Sequence, residues 1–413
     1  MKVALVSPGW PSSDFANGIA TYADLLRDGF AQIGVEARLL AAATGTAPLA
    51  SDVVALDRIA AKDSALLRVH DYARARLFPY DAGRLRYGRA VARGVKFLHP
   101  RFRPDVLEME ETLGAFELVR ASVDVPIVAR LHGPYFLNAA ALSAPHDAYY
   151  HNRVVTEREA LSRAKGITSP SADTLDRVRR EYGLELAHAE VIPNPAPLVA
   201  SDRRWNSQLT DRDLILFVGR FDRHKGGDLV IEAFAKIAAS RPLVRLVFIG
   251  PDWGLRSGGP EGISLTEFLV DRVPDLSVRS RINYLGSMSA DDIHAWRLRA
   301  GVTIVASRYE SFAMTVVEAM AHGCPLVAAR VGGIPEIITH EKNGLLFEPG
   351  SADDLAFRLK TLLDHPEQAA RWAEQGARDV HSRFASRVIA ELTADYYHRF
   401  LGRLGRDRQR RLF

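Results

Sequence analysis

Cysteine is almost missing from this chain: Cys324 is the only one in 413 residues. One thiol can form neither an intrachain disulfide nor a thiolate metal cluster, and such sparing use fits a reducing cytoplasm. No stretch reaches the roughly 18 uninterrupted apolar residues that a spanning helix needs. The opening run, MKVALVSPGWP, has too short an apolar segment for a signal peptide and no small-residue cleavage site. The expectation is a cytoplasmic protein, at most peripheral on the inner face of a membrane. Excess charge is scarce too: 54 Lys and Arg against 50 Asp and Glu leave +4, which does not argue for nucleic acid. No aspartate pair near a strand end resembles a metal cradle, and His and Cys do not cluster, so no metal is expected. A G-x-S-x-G elbow is absent, which removes support for a serine hydrolase. The glycines match neither the Rossmann dinucleotide fingerprint nor a Walker loop.

What is present is ordinary globular composition, 47% apolar and 25% charged, in a chain long enough for two or three cores. Short aliphatic runs alternate with longer amphipathic stretches, the pattern of parallel sheets covered by helices. In the first half these runs lie at 2–7, 37–42, 105–110, 126–133, 166–171 and 190–194. The series restarts at 214–220, 244–250, 281–286, 301–307, 325–330 and 343–350. Two tandem Rossmann-like doubly wound domains are the simplest account, with a ligand cleft between them. The boundaries fall at 1–193 and 194–384, joined at the proline-rich VIPNPAPLV of 191–199. A last helix from about 385 carries Val388, Ile389, Leu392, Tyr396, Phe400 and Leu404 at helical spacing. Such a stripe needs a surface, and the segment 385–413 is assigned to the first domain.

Four stretches carry chemistry. In SPGWPSSDFANGIATYADLL, Gly18 precedes a helix whose free N–H groups suit an anion, although glycines also simply punctuate such turns. In VGRFDRHKGGDLVIEAF, Arg220 leaves a strand and Lys225 stands before two glycines at a helix start. That is a diphosphate clamp or a solvated basic turn. In RYESFAMTVVEAMAHG, Glu310 sits in a strand-to-helix loop, and the amides of Phe312, Ala313 and Met314 open the helix. Glu318 follows in a run so apolar that a helix buried on most sides is expected. A carboxylate there needs a partner, either a ligand or a structural arginine. In VARLHGP, His132 ends a strand, where it serves a substrate hydroxyl or simply the structure. By contrast VRREYGLE and RPDVLEMEET read as charged faces.

Taken together, NGIATY, LHGP, VGRFDRHKGG, SRYESFAMTVVEAMAHGCPLVAARVGGIPE and NGLLFEPGSADDL resemble the motif series of the retaining glycosyltransferases of family 4. The resemblance spans nearly the whole chain and is strongest from about 214 to 355. It implies the GT-B fold and transfer of a sugar from a nucleoside diphosphate sugar to an acceptor hydroxyl with retained anomeric configuration. It also implies a role for each residue. Arg220, Lys225 and the amides of Phe312, Ala313 and Met314 would hold the diphosphate, with Gly18 lining it. Glu318 would take the ribose hydroxyls. Glu310 would hold the donor sugar, and His132 would approach the sugar being transferred. The nucleotide sugar is a substrate, so neither cofactor nor metal is implied, and the acceptor would be a glycan, a lipid-linked or a small molecule.

The chain departs from the family pattern at Asn17-Gly18, at Asn194-Pro195 after the inter-domain IPN, and in the long segment GPDWGLRSGGPEGISLTEFL after residue 249. A basic stretch at 83–98 sets Leu85, Gly88, Val91, Val95 and Leu98 on one face against Arg84, Arg86, Arg89, Arg93 and Lys96. It would lie on anionic lipid, hold an anionic acceptor, or simply cover a core. The tail RLGRDRQRRLF poses the same choice. Two other functions fit the architecture: a nucleotide-sugar epimerase, which needs no acceptor, and a noncatalytic sugar-binding protein, which should have lost Lys225 or Glu310.

Overall fold

The computed structural model describes residues 1–413 except 16, 47, 61–68, 70–71, 74–75, 77–78, 256–261 and 411–413. The chain divides into two compact units. One is Met1–Leu137, Pro145–Pro195 and Ala385–Phe413; the other is Asn138–Ala144 with Ala196–Phe384. The short segment 138–144 thus groups with the second unit, which its place in the sequence did not suggest.

The first unit holds a seven-stranded sheet: β1 (Lys2–Ser7), β2 (Glu36–Ala41), β3 (Val53–Ala55), β4 (Val106–Glu110), β5 (Ile127–Arg130), β6 (Gly166–Ser169) and β7 (Ala189–Val191). Their order is β3-β2-β1-β4-β5-β6-β7, and each of the six pairings is parallel. The edge strand β3 was not anticipated, because three residues carry no readable period. The helix Ser386–Arg410 lies on the helix Gly18–Gln32. The two come so close at Gly29 that a Cβ there would stand 2.2 Å from the Ser386 carbonyl oxygen. Ile389, Tyr396 and Phe400 of the expected stripe are buried, as is Tyr397, whereas Leu392 is exposed. The stripe therefore drifts one position around the helix.

The second unit holds β8 (Asp211–Val218), β9 (Arg245–Ile249), β10 (Ile282–Gly286), β11 (Ala300–Val305), β12 (Leu326–Ala329) and β13 (Leu345–Phe347). All are parallel, in the order β10-β9-β8-β11-β12-β13. Phe217, Phe221, Phe248 and Phe268 form its aromatic centre, with ring centroids 4.6, 6.1 and 5.7 Å apart along the series of contacts. Each buried ring of this kind contributes about 2–3 kcal/mol before ordering costs. In both sheets the strand order reverses, between β1 and β4 and between β8 and β11. Such switch points are where open parallel sheets bind ligands, beyond the carboxyl ends of the strands.

The basic stretch lies within the helix Pro79–Leu98. Gly88, Val91, Val95 and Leu98 are buried and Leu85 half-buried, while only Arg86 and Lys96 of its five cations are exposed. Among the described residues no helix is long and apolar enough to cross a membrane. The glycine-rich part of the segment after Gly250 (256–261) and the end of the basic tail (411–413) lie outside the described residues.

Candidate active site

The second unit builds its site from two loops that leave neighbouring strands. After β8 the chain runs through Arg220 to the helix Gly227–Ala238, and Asp222 organises the turn. This carboxylate is buried; it accepts the Arg220 Nε–H at 2.7 Å on one oxygen and the Lys225 backbone N–H at 2.7 Å on the other. Gly226 then adopts φ +71°, and a Cβ there would lie 2.0 Å from the Ala306 carbonyl oxygen. Only glycine allows this turn to touch the end of β11.

Beyond β11 stands Glu310. Lys225 Nζ donates to its Oε1 at 2.6 Å, and the Ser307 hydroxyl donates to the same oxygen at 2.7 Å. Burial pushes the Glu310 carboxyl up, but Lys225, His224 and these two hydrogen bonds outweigh it and hold the group below the usual carboxylate range. His224 is pushed down, first by burial, and its Nε2 lies 2.8 Å from the Tyr309 carbonyl oxygen. Arg308 grips Asp228 with both terminal nitrogens, at 2.9 and 2.6 Å, and so fastens one loop to the other. Arg220 also stacks over Trp253, its guanidinium carbon 4.1 Å from a ring that is 60% exposed.

The helix Met314–Ala321 starts from Ala313, which holds φ +74° and provides no side-chain cap. Val316 and Val317 donate their N–H groups to the Ala313 carbonyl oxygen at 3.0 and 3.4 Å, and the positive end of the helix dipole suits an anion. Lys225 and Ser307 hold one oxygen of Glu310 ahead of this helix. Phe312 packs on Phe384 with centroids 5.6 Å apart. The expectation of a Glu318 sealed in a buried helix needs correction. Its side chain is 25% exposed, and Arg297, 6% exposed, donates to Oε2 at 2.7 Å. A structural arginine therefore partners it on one oxygen.

Gly18 and His132 belong to the first unit. Gly18, exposed, opens its helix behind Asn17, whose side chain accepts the Ile19 N–H at 2.8 Å. His132 follows β5, and its ring meets Tyr22 of that helix edge-on at 4.8 Å. Burial, then the charge of Arg130, pushes the imidazole well below its ordinary range, so it is neutral at pH 7.

In the stretch read as a charged face, RPDVLEMEET, Arg103 and Asp105 are exposed but the three glutamates are buried instead. Glu108, Glu110 and Glu111 are 3%, 6% and 1% exposed. Tyr22 and Tyr397 each donate to Glu108 at 2.7 Å, and Tyr87 donates to Glu110. Both faces of a parallel sheet are covered, so acids alternating along a strand cannot have a wet side. That was the available signal. In the second unit Asp222, Ser307, His224 and Trp253 also escaped notice, although Asp222 lies between Arg220 and Lys225 in the sequence.

Two doubly wound units, one of which gathers two cations, a carboxylate and a helix start at its switch point, define the two-Rossmann GT-B architecture. The chain belongs to the group 1 glycosyl transferases. The description "Glycosyl transferases group 1" matches residues 200–379, and "Glycosyltransferase Family 4" matches residues 16–198. A D-inositol 3-phosphate glycosyltransferase of Xylanimonas cellulosilytica is 29% identical over 66% of this chain and 66% of its own. The chain spans between 47% and 66% of the length of the first two curated relatives it matches. Among solved structures, sucrose-phosphate synthase of Thermosynechococcus elongatus superposes with a TM-score of 0.74 at 19% identity, over 97% of this chain and 99% of that one. HepE of Anabaena, solved in complex with UDP-glucose, gives 0.67 at 19% identity, over 96% and 98%. At such identities the two structures speak for the fold.

Proposed function

We propose that the protein is a retaining glycosyltransferase that moves a sugar from a nucleoside diphosphate sugar to an acceptor hydroxyl without a metal ion. The observation that carries this reading is Lys225 held 2.6 Å from Glu310 at the switch point of the second unit. Arg220 on the same loop adds a second cation, and the helix start at Ala313 adds the positive end of its dipole. In the reaction, the bond from the anomeric carbon to the leaving phosphate oxygen breaks and the acceptor oxygen takes its place on the same face. The acceptor's proton passes to the departing phosphate. Charge grows on the diphosphate, where Arg220, Lys225 and the amides of Phe312, Ala313 and Met314 stabilise it in place of a cation. Glu310 holds hydroxyls of the donor sugar and keeps Lys225 oriented. Glu318 takes the ribose on the side not used by Arg297, Gly18 lines the diphosphate, and His132 is assigned to the transferred sugar.

That HepE was solved with UDP-glucose makes UDP-sugars the first donors to try. A glycan or glycolipid acceptor is proposed, and the exposed Arg86 and Lys96 suit an anionic one. Incubation with UDP-, GDP- and ADP-sugars, with nucleoside diphosphate release measured, tests the reading. Release should require an acceptor and survive a chelator, and the product should keep the donor's anomeric configuration by NMR. An isomerised sugar formed without acceptor would point to an epimerase, and no release with any donor would overturn the proposal.

A further inference from the structure

Two carboxylates that the proposed reaction does not use tie down the loop carrying His132. Glu111 lies one residue past β4, and it accepts the His132 backbone N–H at 2.9 Å on Oε2 and the Gly133 N–H at 2.8 Å on Oε1. Glu157, on the helix Ala148–Arg163, is equally buried. It accepts the Tyr135 N–H at 2.9 Å and the Leu113 N–H at 3.4 Å, together with the Tyr182 hydroxyl at 3.2 Å and Arg153 at 3.3 Å. The loops after β4 and β5 are thus bound to one pair of acids through their backbone amides. A carboxyl group offers an oxygen to each of two N–H donors; a glutamine would turn its NH2 toward one of them. Burying two acids near one another is costly, so a carboxylate pair is a poor choice for packing alone.

We propose that Glu111 and Glu157 are positioning residues that fix the backbone of His132–Tyr135, and with it the direction from which the imidazole meets the transferred sugar. This rests on the reading of His132 given above. The groups facing Glu111 are the Glu157 carboxylate, the Tyr182 hydroxyl and the backbone amides of His132 and Gly133, with Arg153 beyond Glu157. Burial foremost, then the charge of Glu157, pushes Glu111 up to about 8 against the pull of the two amides. Its hydrogen bonds to the loop therefore strengthen as pH rises through about 8.

The test uses the full chain and its E111Q, E157Q, H132A and E111Q/H132A variants. Hydrogen exchange of the peptide covering residues 131–137 should speed up about tenfold or more in E111Q and E157Q. Turnover of the best donor from the nucleotide-sugar panel should fall about tenfold in kcat while donor KM stays within about twofold, as misplacement of a catalytic group requires. E111Q should also lose a rise in kcat near pH 8, and the double variant should be no slower than H132A. Unchanged exchange in both glutamine variants, or losses that multiply in the double variant, would overturn the clamp. Full activity of H132A would overturn the role of His132 instead, with the exchange data still deciding whether the clamp exists.

Discussion

Glu310 and Glu111 occupy corresponding places in the two units and are treated in opposite ways. β11 adjoins β8 as β4 adjoins β1, so each acid follows the strand at its sheet's switch point. Burial raises both. Glu310 faces Lys225 and ends below the usual carboxylate range, whereas Glu111 faces amides and a second acid and ends at about 8. Burial is the first cause at both, and at Glu310 the charge of Lys225 with the added hydrogen bonds outweighs it. The second unit keeps an ionised acid against a cation. The first unit uses its acids as scaffolding for a loop.

The strongest way to break this contrast is to remove the cation. Lys225→Ala should reduce nucleoside diphosphate release by about a hundredfold or more, with a thermal midpoint close to that of the parent. Undiminished turnover would remove Lys225 from the diphosphate site.

The next largest effect concerns pH and stability. Glu111 has a native pKa raised above its unfolded value, so the native state binds the extra proton, and stability falls as pH rises from the unfolded value near 4.5 through about 8. Glu111→Gln should flatten that decline, which for a group so buried is on the order of a few kcal/mol. Glu310 has its native pKa depressed, so its contribution is present above the unfolded value and is lost as pH falls through the lower native one. Glu310→Gln should therefore lower stability at pH 7 and matter less in acid. Urea titrations from pH 3 to 9 separate the two signs, and parallel profiles for both variants would erase the contrast.

A smaller effect is expected at Glu318, which Arg297 already partners. Glu318→Gln should weaken binding of the preferred nucleoside diphosphate about tenfold by calorimetry, as loss of one charge-assisted hydrogen bond implies. Unchanged affinity would leave Glu318 as Arg297's partner alone. Tyr397→Phe takes one donor from Glu108 and leaves Tyr22 in place. It should cost about 1–2 kcal/mol in denaturant and leave turnover alone, and no loss would show that Glu108 is protonated and satisfied without it.

Much of the fold could be read from the chain. Aliphatic runs too continuous for a one-sided sheet placed twelve of the thirteen strands found among the described residues. Failures came where a residue's surroundings are remote in sequence. The edge strand β3 is too short to show a period, and Leu392 looked apolar enough for the stripe although Tyr397 takes the buried place.

The sequence by itself determined the two doubly wound units and the local chemistry of their loops: Arg220 and Lys225 about a turn that needs glycine, a helix opening after Glu310, His132 at a strand end. These follow from patterns within some twenty residues, where period, turn residues and helix ends act. Only the tertiary structure decided which charges meet. Glu310 finds Lys225 across 85 positions, Glu318 finds Arg297 across 21, and Glu108 finds Tyr397 across 289. The charge of a buried acid depends on those partners, and no local pattern states them.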